Sequence, residues 1–143
     1  MSSEQCPVTA YQETDGLRYF PRMLDKIRLH AQGVLRADFH ENLGGGLDGW
    51  MCDFMRIDYA ELVDRTKQGA SDTDLLAWCQ ADGGGRDLNS SDIKGWNHLV
   101  TKLGWNDEAT ERVVMRKKES GLEDRDEIVT MIDYFEFDEG RRS

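Results

Sequence analysis

The chain has 143 residues, 38% of them hydrophobic, and a formal net charge of −10. That length suits one domain able to bury about 68–70% of the surface its unfolded chain exposes, and the apolar content excludes wholesale disorder. The negative charge repels phosphate backbones and anionic headgroups, so neither nucleic acid nor a membrane is an expected partner.

Three cysteines, Cys6, Cys52 and Cys79, lie far apart and in odd number. Free thiols in a reducing compartment fit this spacing better than a disulfide framework. The opening stretch, MSSEQCPVTAYQETDGLRYF, has neither a basic start nor an apolar run, and nothing in the chain has the apolar length of a membrane span. The expected localisation is cytoplasmic.

Residues 1–20 read as an irregular lead-in and 21–140 as a single all-α domain. Pro21 suits the first turn of a helix, where its missing N–H costs nothing. The helix that runs PRMLDKIRLHAQG has Met23, Ile27, His30 and Val34 along one side, with Leu24, Ile27 and Ala31 beside them and Gly33 near its end. His30, on that apolar flank, is expected to be buried. The stretch NLGGGLDGWMCDF (42–54) follows and reads as a compact irregular loop packed by Leu43, Leu47 and Trp50.

Four further helices carry their own punctuation. Asp58 with Glu61 and Ser71 with Asp74 are capping pairs, with stops at Gly69 and at the triple glycine Gly83–Gly85. Ser90 or Ser91 caps the next, where Ile93, Trp96, Leu99, Val100 and Leu103 trace a 3.6-residue stripe. Asp107 and Glu108 open another, ending at Gly121. Asp124 with Glu127 then caps a last helix, which ends near Gly140. No four residues sustain a period-two pattern. The expected fold is an all-α compact bundle of about six short helices, with the irregular lead-in and a glycine-rich loop.

The motifs mostly exclude. The pair of helices around Gly69-Ala70-Ser71 resembles a helix-turn-helix, but the second begins Ser71-Asp72-Thr73-Asp74 and would carry carboxylates toward phosphates. Arg116-Lys117-Lys118 sits late in a helix, where cations favour the dipole. Neither GGGLDG nor ADGGGRD has a phosphate-loop or dinucleotide-binding spacing, and neither follows a strand. His30, His40 and Cys52, with Asp48 and Asp53, are the one group with metal-ligand chemistry, yet they lack paired-ligand spacing, so no metal and no cofactor is expected. Cys52 with His40 as base is the alternative, but the acidic neighbourhood disfavours a thiolate. Arg22, Asp25 and Arg28 recur every third residue and read as a row on one helix side: a surface ion-pair row, or an anion clamp if that side faces the glycine loop.

Taken together, FPRMLDKIRLH, DFHENLGGGLDG, LLAWC, GWNDE, SGLEDRDEI and FDEGR resemble an uncharacterised family of small bacterial proteins, a domain of unknown function, from Leu17 to Arg141. The resemblance implies a bacterial cytosolic protein and no activity or catalytic residue. The family loop reads closer to NLGxGFDG, so Leu47 replaces a phenylalanine. Two functional readings follow. The first is a non-catalytic binding or regulatory module, compatible with a homo-oligomer, whose partner is a protein or small molecule. The second is a small enzyme with a polar site between the first helix and residues 38–54. The candidate ligand-binding residues are Arg22, Asp25, Arg28, His30, His40, Asn42, Asp48 and Cys52.

Overall fold

The computed structural model describes residues 4–143. Its elements are a small hairpin, β1 (Glu13–Thr14) and β2 (Leu17–Arg18), then α1 (Phe20–Ala31), a 3-10 turn (Ala37–Asn42), α2 (Gly46–Met55), α3 (Tyr59–Lys67), α4 (Asp72–Gln80), α5 (Ser90–Lys102), α6 (Thr110–Glu119) and α7 (Met131–Asp138). The architecture is all-α apart from that hairpin. No helix among the described residues is long and apolar enough to cross a membrane.

The hairpin departs from the expected irregular lead-in. Its strands pair Glu13 with Arg18 and Thr14 with Leu17, too few residues for an alternating pattern to register. The turn residues Asp15 and Gly16 both take positive φ, 48° and 84°, as a two-residue hairpin requires. Helix α5 holds this hairpin from behind. Trp96 Nε1 donates to Arg18 O at 2.8 Å, Arg18 N donates to Asn97 Oδ1 at 2.9 Å, and Asn97 Nδ2 donates to Gly16 O at 2.7 Å.

Helix α1 runs through the middle, touching β1, α3 and α4. Its Met23, Leu24 and Ile27 join Leu62, Leu75, Leu76, Cys79, Trp96 and Val100 in the main core. A smaller cluster of Val113, Ile128, Met131 and Tyr134 lies under α6 and α7. The caps at Asp58 and Ser71 form as read, each side chain accepting from the backbone N–H three residues on.

Other expectations also need correction. Among the described residues there are seven α-helices where about six are expected, because α2 lies inside the glycine-rich stretch that reads as loop. Its stripe of Leu47, Met51 and Met55, all buried, supplies the packing that overrides poor glycine propensity. The α5 cap is Asn89, in a reciprocal capping box with Asp92, in place of Ser90 or Ser91. Helix α6 starts at Thr110, because Asp107 turns back to accept from Gly104 N and Ala109 N. The last helix starts at Met131, capped by Thr130 with Asp133, and residues 122–129 precede it as turns. His30 is exposed, and Leu99 of the α5 stripe is 44% exposed, since each lies at the margin of its apolar face.

Candidate functional site

A cavity of about 510 Å3 opens between α1, the 3-10 turn, the first turn of α2 and the α6–α7 pair. It falls within the usual size range for small-molecule sites. Trp50, Tyr134, Phe135 and Met131 give it apolar walls, and its base is polar and buried.

That base begins with Tyr19, the N-cap of α1. Its φ of 79° is left-handed, a conformation that costs a bulky residue on the order of 1–3 kcal/mol. The kink turns the chain into Pro21 and carries the phenol inward, where Tyr19 Oη donates to Asp48 Oδ1 at 2.6 Å. Lys26 lies 2.8 Å from the same Oδ1 and donates to Tyr19 Oη at 3.1 Å. Asp48, 0% exposed, uses its other oxygen to accept from Gly44 N at 3.2 Å. One carboxylate thus ties α1 to the glycine turn ahead of α2.

Two glycines make that turn. Gly44 has φ 77°, and a Cβ there would meet the Tyr59 ring at 2.9 Å; Gly46, at φ 50°, opens α2. The cap residue Gly45 has no side chain, and no side chain caps this helix.

Beside Lys26, one helical turn earlier, is Arg22, 1% exposed. Its Nη1 and Nη2 donate to Glu139 at 2.8 and 2.6 Å, and Nη1 also donates to Val8 O at 3.1 Å. The guanidinium lies 4.5 Å from the centre of the Phe135 ring. Arg22 Nε is the one buried side-chain nitrogen or oxygen among the described residues without a partner. Such an orphan costs about 1–3 kcal/mol. Further out, Arg36 bridges Asp38 and Asp138, each at 2.6 Å, and so pins the 3-10 turn to α7.

Burial sets the protonation of this cluster. It lowers Lys26 from its ordinary 10.5, with the attraction of Asp48 opposing, and raises Tyr19 well above 10.0, reinforced by Asp48. The cluster can hold or relay a proton and can present N–H donors to a ligand.

Of the residues expected from sequence, Arg22 and Asn42 line this cavity, and Asp48 lies directly beneath it, holding Tyr19 and Lys26. The others lie elsewhere. Asp25 accepts from Val8 N at 2.9 Å, and Arg28 pairs with Asp72 at 2.6 Å. The expected row therefore does not exist: at about 100° per residue, Arg22 and Arg28 point about 120° apart, whereas Arg22 and Lys26 differ by only about 40°. His30 and His40 meet edge to face on the surface, ring centres 4.9 Å apart, and the His40 ring bonds Leu35 O. Cys52 packs into the main core, its thiol pushed up to about 12 by burial and next by Asp48, which disfavours the thiolate a nucleophile needs. Among the described residues, no three His, Cys, Asp or Glu side chains gather as a metal site.

Sequence reasoning missed Tyr19, Lys26 and Glu139. The spacing Tyr19, Arg22, Lys26, Leu29 is an i, i+3, i+7, i+10 stripe, and it was the available signal. Charged residues on a helix read by default as solvated.

The chain matches the profile described as Domain of unknown function (DUF5069) over residues 4–141 and belongs to that family. No curated protein matches it significantly.

Proposed function

We propose that this member of the DUF5069 family is a non-catalytic binding module whose ligand is a small molecule seated between α1, α2 and the α6–α7 pair. The observation that carries this reading is the cavity of about 510 Å3 standing over buried Arg22, Lys26 and Asp48. Ion pairs cut off from water stabilise a fold little compared with apolar residues of the same volume. A chain that keeps them beneath a ligand-sized space, with aromatic walls around it, has the anatomy of a binding site. The surface pair His30 and His40 lies outside that space.

A second reading, a small enzyme at the same cavity, draws on one observation: Tyr19, Lys26 and Asp48 share hydrogen bonds within 3.1 Å. Lys26, lowered by burial, is then the acid–base group and Tyr19 its relay.

A thermal-shift screen of small metabolites tests both. Ala109, on the cavity wall, is replaced by tryptophan to fill the space. A compound that stabilises the wild type but not Ala109→Trp supports the binding module. Compounds that stabilise both proteins equally, or none that stabilises either, would overturn it. Chemical conversion of a bound compound, lost in Lys26→Met, would replace the first reading with the second.

A further inference from the structure

The first turn of α2 forms part of the cavity wall through Gly45, Gly46 and Leu47. A helix leaves its first N–H groups unpaired, and here no side chain caps them. Gly45 N donates to Asn42 O and Gly44 N to Asp48 Oδ2, while Gly45 O accepts from Asp48 N and Gly49 N. Among the described residues nothing accepts from Gly46 N or Leu47 N. Asp48, the acid in that first turn, does not cap it; its carboxylate points away to Tyr19 and Lys26.

Two cationic side chains lining the same cavity repeat this imbalance. Arg22 is 1% exposed and its Nε–H has no acceptor. Lys26 has three N–H groups and two acceptors, Asp48 Oδ1 and Tyr19 Oη, so one N–H is left over. Gly46 N, Leu47 N, Lys26 and Arg22 Nε are all donors, carried by a cation or by the positive end of a helix. Formal charges nearly cancel here, Arg22 against Glu139 and Lys26 against Asp48. Recognition therefore rests on oriented donors and the helix dipole, not on net potential.

We propose that this end of the cavity is an anion subsite, in which Gly46 N–H, Leu47 N–H and Lys26, with Arg22 behind them, hold the carboxylate or phosphate of a small organic anion. Its apolar body lies against Trp50, Tyr134 and Met131. The proposal rests on the binding-module reading and adds the chemistry of the ligand. A neutral ligand could supply acceptors too, but charge-assisted bonds are about twice as strong.

The test is a titration of the 15N-labelled full chain with benzoate, phenyl phosphate, inorganic phosphate and, as the neutral control, benzamide. The expected result is saturable movement of the Gly46 and Leu47 amide signals with the organic anions, weaker movement with inorganic phosphate, and none with benzamide. Comparing benzoate with phenyl phosphate tells carboxylate from phosphate. In Lys26→Met, checked as folded from its own spectrum, the anion affinity falls about tenfold or more, one charge-assisted hydrogen bond having been lost. Amide signals that do not move with any anion, or that move equally with benzamide, overturn the proposal on the wild type alone. If a neutral compound meanwhile stabilises the wild type but not Ala109→Trp, the binding module stands and only the anion subsite falls.

Discussion

The two faces of α1 rest on different physics. One sends Met23, Leu24 and Ile27 into a core shared with α3, α4 and α5, where burial of apolar surface does the stabilising. The other sends Tyr19, Arg22 and Lys26 toward α2 and α7, where the shortest contacts are ion pairs and charge-assisted hydrogen bonds. The first face tolerates conservative change and stabilises without conditions. The second is costly to build and fragile to single substitutions, and it borders the cavity. On the proposed reading, stability comes from one side of the helix and recognition from the other.

Single substitutions sharpen the contrast. Asp48→Ala leaves Lys26 buried without its counter-charge and frees both Tyr19 Oη and Gly44 N, so it should cost about 3–5 kcal/mol in denaturant unfolding. On the apolar side, Leu75→Ala should cost about 2–5 kcal/mol, because Leu75 is fully buried, while leaving any ligand stabilisation in place. Loss of ligand response in Leu75→Ala, or its survival in Asp48→Ala, would break the division between the faces.

Alkaline pH probes the apolar side by another route. Burial first of all pushes the thiols of Cys52 and Cys79 from an ordinary 9.0 up to about 12. A pKa raised in the folded state contributes stability that is complete below about pH 9 and lost as pH climbs toward 12. Tyr19, also raised, acts in the same direction, whereas Lys26, lowered by burial, opposes it below 10.5. The melting temperature should therefore fall between pH 9 and 12, and Cys79→Ala should flatten that fall. A profile level to pH 12 would contradict the burial of these thiols.

Smaller effects belong to the surface. Ser71→Ala removes the α4 cap and should cost about 1 kcal/mol. His40→Ala, on an exposed turn outside the cavity lining, should stay within about 0.5 kcal/mol of wild type and leave ligand response unchanged.

The apolar side was also the legible one. Caps at Asp58 and Ser71 and the stripe through Trp96 and Val100 announced α3, α4 and α5, because local signals and tertiary burial agree there. Around the cavity they disagree. Three glycines concealed α2, although Leu47, Met51 and Met55 already carried its period. The α7 cap at Thr130 uses Asp133 where a glutamate is the usual partner, and Asp124 with Glu127 offered a false alternative. The Asp15-Gly16 turn was readable as a hairpin signal, but strands of two residues gave it no flanking pattern. Arg22 and Asp48 were legible as candidates, for a row and a loop that do not exist in that form. Lys26 was legible only through its place on the Tyr19, Arg22, Leu29 stripe, because a charged residue on a helix reads by default as solvated. Its partner, Asp48, lies on another helix and reaches it only once α2 is folded.

If the charged face of α1 exists for a ligand and not for stability, its charges can be removed together at little cost to the empty protein. Lys26→Met with Asp48→Asn does this: the pair is neutral, and the new amide oxygen can still accept from Gly44 N or Tyr19 Oη. The most direct measurement is the unfolding free energy of this double variant, alone and with benzoate or phenyl phosphate. The predicted result is an empty variant within about 1 kcal/mol of wild type and no stabilisation by either anion. A double variant as unstable as Asp48→Ala, yet stabilised by the anions as wild type is, would show that the cluster is structural and that recognition lies elsewhere.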